Sequence, residues 1–140
     1  MNDRTFHAVA ARRSVGFWMA AVMALLQAIY ALQAFADPVA FAAYRATPIA
    51  ALDGVHWVHT YGSRTLFVAL VVALLLAREE LGTLRWVALV GVIMPISDAL
   101  IAFQANAPRA ALLRHIGTAI YLLITFVVLT RWLRRARLRE

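Results

Sequence analysis

Three residues of this chain combine acid–base, proton-relay and cationic chemistry inside otherwise apolar segments: Arg64, Asp98 and His115. A carboxylate beside an imidazole can take a proton from one substrate atom and return it at another. Imidazole changes charge near neutral pH. A guanidinium next to them is a fixed holder for an anion or oxyanion. The set suits proton-transfer chemistry on an apolar substrate, such as isomerisation or cyclisation. Asp98 would serve as base or acid, His115 as its proton partner and Arg64 as anchor. No nucleophile elbow, phosphate loop or dinucleotide fingerprint accompanies them. Ser63 and Ser97 are nearby in sequence, without the spacing that activates a hydroxyl. The chain has no cysteine, which excludes thiol catalysis, disulfides and cysteine-ligated metals.

What must position these residues is membrane-spanning structure. The chain has 140 residues, of which 64% are hydrophobic and 15% charged. Its mean hydropathy is +0.75. Soluble domains run at about 45–50% apolar and about 25% charged, so the composition belongs to a membrane protein of a single domain. A spanning helix needs about 20 mostly apolar residues. Four segments qualify, at about 15–35, 57–77, 84–105 and 110–133. The first is longer than a signal-peptide core of about 7–15 residues, so it reads as a retained helix. Short turns at 78–83 and 106–109 force the last three spans to run antiparallel. The expected fold is all-α, a four-helix transmembrane bundle running up-down-up-down. Residues 37–56 carry Pro38, Pro48 and Gly54 and read as an interfacial or re-entrant segment, with a short helix around Ala40–Arg45.

Charge sets the expected orientation. All 14 basic residues are Arg, and the net charge is +7. With the N-terminus inside, ten Arg fall on the inner side and two, Arg45 and Arg109, on the outer. Trp18, Trp86 and Trp132 then mark the inner interface and Trp57 the outer. This places both termini in the cytoplasm and the protein in a bacterial inner membrane, with membrane lipid as its surroundings. The Arg residues flank apolar segments and form no soluble basic face, which argues against nucleic acid. The basic run Arg131 to Arg139 reads as topology and lipid contact.

Buried charge is costly in this setting, at about 2.5–3.5 kcal/mol each on insertion scales. Counting at 1.5 Å per residue puts Arg64 and Asp98 roughly 10 Å, and His115 roughly 8 Å, below the outer ends of their helices. Three groups from three helices thus share a level. Their neighbours at helical spacing supply an expected substrate-binding lining: Trp57 and Tyr61 with Arg64; Gln27 and Tyr30 on the face of Gly16, Ala20 and Met23; Arg114, Thr118 and Tyr121 with Thr125. Gly91 and Met94 share a face with Asp98. Small and hydrogen-bonding residues belong at helix contacts in lipid. Pro95 should kink the third span near the acid.

Two readings follow. One is a pocket for a lipophilic small molecule. The other is a non-catalytic protein (a small subunit, a carrier or a proton relay) in which an Arg64–Asp98 ion pair locks helices together. No cofactor or metal is expected: His56 and His59 sit at the outer boundary, and His7 in the N-terminal tail. A homo-oligomer is compatible with either reading.

The elements Asp37-Pro38 with Ala40-Phe41, Tyr61-Gly62-Ser63-Arg64, Pro95-Ile96-Ser97-Asp98 and Arg114-His115 resemble a family of small four-span bacterial and fungal membrane proteins known as a domain of unknown function. The layout is also similar to that of DoxX-like four-helix membrane proteins. The resemblance covers most of residues 15–133. It implies the four-helix bundle and the importance of Arg64, Asp98 and His115, and it supplies no activity. Ser63-Arg64-Thr65 departs from the family pattern, in which an apolar residue precedes the Arg and an amide follows it.

Overall fold

The computed structural model describes residues 14–49 and 54–138. His7, the Arg residues of the N-terminal tail and Arg139 lie outside them. The described residues form six helices and no strand: α1 (Val15–Ala36), α2 (Pro38–Tyr44), α3 (Val55–Ala77), α4 (Leu81–Gly91), α5 (Ile93–Gln104) and α6 (Arg109–Arg137). Four units are long and apolar enough to cross a membrane: α1, α3, α4 with α5, and α6. The protein is therefore a polytopic membrane bundle, and the four expected spans are each found. The second and third begin two or three residues earlier than expected, and the fourth runs four further.

Local chemistry explains the helix ends. The Ser14 hydroxyl accepts from the Phe17 N–H at 3.0 Å and caps α1. Asp37 separates α1 from α2. Its carboxylate accepts from Ala40 N–H at 2.9 Å, and Pro38 supplies the preset φ of a first helical residue. Three helices end in the same way. Ala46, Glu79 and Asn106 have φ of 60°, 58° and 51°. In each case the N–H of the next residue reaches back five positions: Thr47 to Ala42, Glu80 to Leu75 and Ala107 to Ala102. These are Schellman turns, which satisfy the last carbonyls of the helix. Two of them place a non-glycine, non-asparagine residue in the left-handed region, at a cost of roughly 1–2 kcal/mol each.

The third span is broken. Pro95 has no N–H to give Gly91, four residues earlier, and its ring crowds that carbonyl. The helix interrupts at Val92, whose N–H turns to Leu89 at 3.2 Å, a tighter i to i−3 bond. The interruption lies about a turn before the proline, where the missing bond is.

Packing uses small residues, as association in lipid requires. α1 lies along α3, while α4 and α5 lie on α6, and α1 also meets α6. On α1, Ala31 and Ala34 are buried against the Val58, Gly62, Thr65 and Ala69 face of α3. A Cβ on Gly62 would stand 3.1 Å from that of Ala34. One core cluster joins Ala20, Val72, Leu76, Leu84 and Leu129. A second joins Ala34, Phe41, Ala42 and Val58 and seats α2 on the bundle. The expected inward face of α1 is buried at Gly16, Ala20 and Met23. Large side chains such as Leu32, Phe67, Leu70 and Leu74 point outward, which hydrocarbon tolerates and water would not.

Candidate functional site

The short helix α2 delivers an unexpected group. Arg45 caps its C-terminus, and the left-handed turn at Ala46 follows directly. The Arg45 Nη2 donates to Asp98 Oδ2, forming an ion pair between α2 and α5. The guanidinium carbon also stands 5.8 Å from the Tyr30 ring centroid and 5.4 Å from that of Tyr61. Two aromatic faces and one carboxylate thus enclose this cation.

This corrects the expected Arg64–Asp98 pair. Arg64 lies beside the packed Gly62–Thr65 face of α3, not on it, and its side chain is exposed. α5, past the break at Val92, packs chiefly on α6. Arg64 makes no ion pair with a described residue, whereas Arg45 reaches Asp98 from the segment above. Sequence reasoning counted Arg45 as an outer-loop charge. The signal available for it was its place at the end of the short helix, beside Tyr44.

His115 is brought to the same point. It is buried on α6, with Nδ1 3.8 Å from Asp98 Oδ2. That separation exceeds a hydrogen bond and leaves room for a rotamer adjustment to close it. The common level of Asp98 and His115, expected from helix counting, is therefore found as proximity.

Two cavities meet at this group. The first, about 300 Å³, lies under α2 and is lined by Phe41, Trp57, Ile101 and others. The second, also about 300 Å³, lies deeper and is lined by Gln27, Tyr30, Arg64, Pro95 and Thr118 among others. Arg45, Tyr61, Asp98 and His115 line both. The ion pair thus lines both spaces. Asp98 retains side-chain exposure of 31%, so its carboxylate faces the cavities and is not sealed by the pair.

The remaining expected lining residues divide. Trp57, Tyr61, Gln27, Tyr30 and Thr118 line one or both cavities. Arg114 lies at a small cleft beside them, where its Nη2 donates to the Tyr44 carbonyl at 2.9 Å. Its guanidinium carbon stands 4.2 Å from the Tyr44 ring centroid. Arg114 holds the Tyr44 phenol below the ordinary tyrosine range through hydrogen bonding, and Tyr30 adds to this. Tyr121 lies outside the site. Its hydroxyl donates to the Met19 carbonyl at 3.0 Å and ties α6 to α1.

His56 and His59 do not join His115. The His59 ring packs 5.5 Å from that of Phe35, and the backbone carbonyls of His56 and His59 accept from Thr60 and Ser63. Among the described residues, no group of three or more His, Cys, Asp or Glu could hold a metal ion.

No curated protein and no solved structure matches the chain. A family model does, over residues 14–129, which includes every residue of the two cavities. The chain belongs to the family described as a domain of unknown function, DUF4267.

Proposed function

We propose that the paired cavities form an intramembrane site for a lipophilic small molecule and that Asp98 and His115 perform acid–base chemistry on it. The observation that carries this reading is the position of Asp98 and His115 on the wall shared by both cavities. A carboxylate that served helix locking alone would not need to face open space on two sides. Arg45 holds one carboxylate oxygen, Oδ2, and the other carries no hydrogen bond from a described residue. Asp98 removes a proton from the substrate, His115 exchanges it, and return of the proton at another atom gives an isomer or a cyclised product. The lining is mainly apolar with a few convergent polar groups, the usual make-up of a small-molecule site. Conversion of a lipid-soluble substrate by proton transfer requires no further cofactor in this scheme.

The Arg distribution supports cytoplasmic termini in a bacterial inner membrane, with the cavities in the outer half of the bilayer. A fluorescent fusion at the C-terminus that matures only in the cytoplasm would check the sidedness.

A second reading has its own observation. Arg45 couples α2 to α5, and Arg114 couples α6 to α2, so the polar cluster also fastens the segment between α1 and α3. In that reading the protein is a non-catalytic subunit or carrier. Mass spectrometry of protein purified from membranes separates the two. A co-purifying molecule retained by wild type and lost from Asp98→Asn supports the site. Absence of any molecule that depends on Asp98 supports the fastening role.

A further inference from the structure

We propose that Arg64 is the head-group site for a single-chain anionic amphiphile, carboxylate or phosphate, whose chain lies in the cleft between α3 and α4; this rests on the reading of the cavities as a ligand site. Three observations carry it.

The first is a cation without a counter-ion among the described residues. Arg64 stands nine residues into α3, about 13 Å along the helix. It is exposed at that depth and forms no ion pair with a described residue. α3 contains no acid, and the acid of α5, Asp98, is taken by Arg45. Charges inside a span find partners or line functional cavities. Arg64 lines the deeper cavity, so the complement it lacks is an anion delivered there.

The second is the groove below it. Phe67, Val68 and Val71 continue the Arg64 face at helical spacing, and they face Trp86, Val90 and Ile93 across a cleft of about 550 Å³. Along the wall from Thr83 to Met94 the cleft runs about 16 Å, a length that an alkyl chain can follow. The walls are apolar, with Thr83 the polar exception.

The third is continuity. Val68, Gly91, Ile93 and Met94 line both the cleft and the deeper cavity. The junction coincides with the break that Pro95 imposes at Val92. The cleft is therefore continuous with the chamber that Arg64 and Asp98 line. A head on Arg64 with a chain in the cleft places the atoms next to the head within the chamber that Asp98 and His115 line.

Trp86, in the cleft wall, reports the occupant directly. The full chain, with Trp18, Trp57 and Trp132 replaced by Phe, is titrated in non-ionic detergent at mildly alkaline pH. The probes are dibromostearate, dibromostearoyl lysophosphatidate and the uncharged dibromostearoyl monoglyceride, whose bromines quench Trp86 on contact. Both or one of the anionic probes should quench at roughly tenfold lower concentration than the neutral one, the discrimination of one charge-assisted hydrogen bond. The tighter anion distinguishes a fatty acid from a lysophospholipid. Arg64→Gln should equalise charged and neutral probes, and Arg64→Lys, which keeps the charge, should restore the preference. Equal quenching by all three probes in wild type, or a preference that survives Arg64→Gln, overturns the proposal and marks the cleft as ordinary lipid-facing surface. Arg64→Gln leaves Asp98 and Arg45 paired, so a lost charge preference is read separately from any loss of acid–base chemistry.

Discussion

Arg45 and Asp98, 53 positions apart in the chain, form a charge-assisted hydrogen bond that joins the end of the short helix α2 to α5, the C-terminal part of the third span. Both side chains are largely withdrawn from solvent, at 15% and 31% exposure. Removing one partner strands the other. Arg45→Ala and Asp98→Ala should each lower stability by about 1–3 kcal/mol in thermal unfolding in detergent. The double variant should be milder than the sum, with a coupling of about 0.5–3 kcal/mol. Arg64→Ala, by contrast, should leave the melting temperature nearly unchanged. A large loss at Arg64 and additivity at Arg45 and Asp98 would mean that the pairing is wrong.

Gly16 should tolerate no side chain. A Cβ there would stand 2.6 Å from Leu129 Cδ2 and 3.4 Å from the Leu129 backbone nitrogen, and Leu129 is fully buried. Gly16→Ala should destabilise by about 1–3 kcal/mol through overpacking. Gly117, in the interior of α6, has open space around its Cβ position. Gly117→Ala should be neutral or stabilise by up to about 1 kcal/mol. Parallel melting curves of the two variants give the comparison.

The turn that presents Arg45 carries strain at Ala46, with φ of 60°. Glycine occupies that region without cost, so Ala46→Gly should stabilise by up to about 1 kcal/mol while preserving the ion pair. Ala46→Val should destabilise, since a β-branched residue fits that region poorly. The pair of melting temperatures should bracket wild type.

Tyr44 supplies a pH signature. Its phenol lies below the ordinary value because of Arg114 first and Tyr30 second. A depressed folded pKa means that the unfolded chain holds more protons across the window from that pKa up to about 10, so stability rises with pH there. The contribution is present above about 10 and is lost as pH falls through the folded value. Tyr44 is 46% exposed, so the effect on stability is muted and the spectrum is the better readout. Phenolate absorbance should show one early-titrating tyrosine, absent in Tyr44→Phe and shifted upward in Arg114→Gln. An unchanged titration in Tyr44→Phe would refute the assignment.

Much of the fold was legible in the sequence because hydropathy and length report spans directly, and small residues mark contact faces in lipid. Helix counting also brought Asp98 and His115 to one level, since depth depends only on distance from a helix end. The partner of Asp98 was not legible. Pairing depends on rotation about the helix axis and on where a loop residue folds back, and neither follows from spacing along one helix. The small-residue spacing Gly62, Thr65, Ala69 did hold the clue that Arg64 sits off the packed face. Tyr121 was misread for a similar reason: a polar stripe on α6 shares one face, but its residues meet different neighbours along 29 residues of helix. The break at Val92 was foreseeable from Pro95, though the groove beside it required the third dimension.

Deuterium incorporation tests the central claim most directly. Reconstituted protein is incubated with total lipid extract in D2O, and the recovered lipids are analysed by mass spectrometry. Acid–base chemistry at Asp98 and His115 predicts a lipophilic species that gains deuterium at carbon with wild type, far more slowly with His115→Gln, and not at all with Asp98→Asn. Labelling that is absent with wild type, or unchanged in Asp98→Asn, would contradict it.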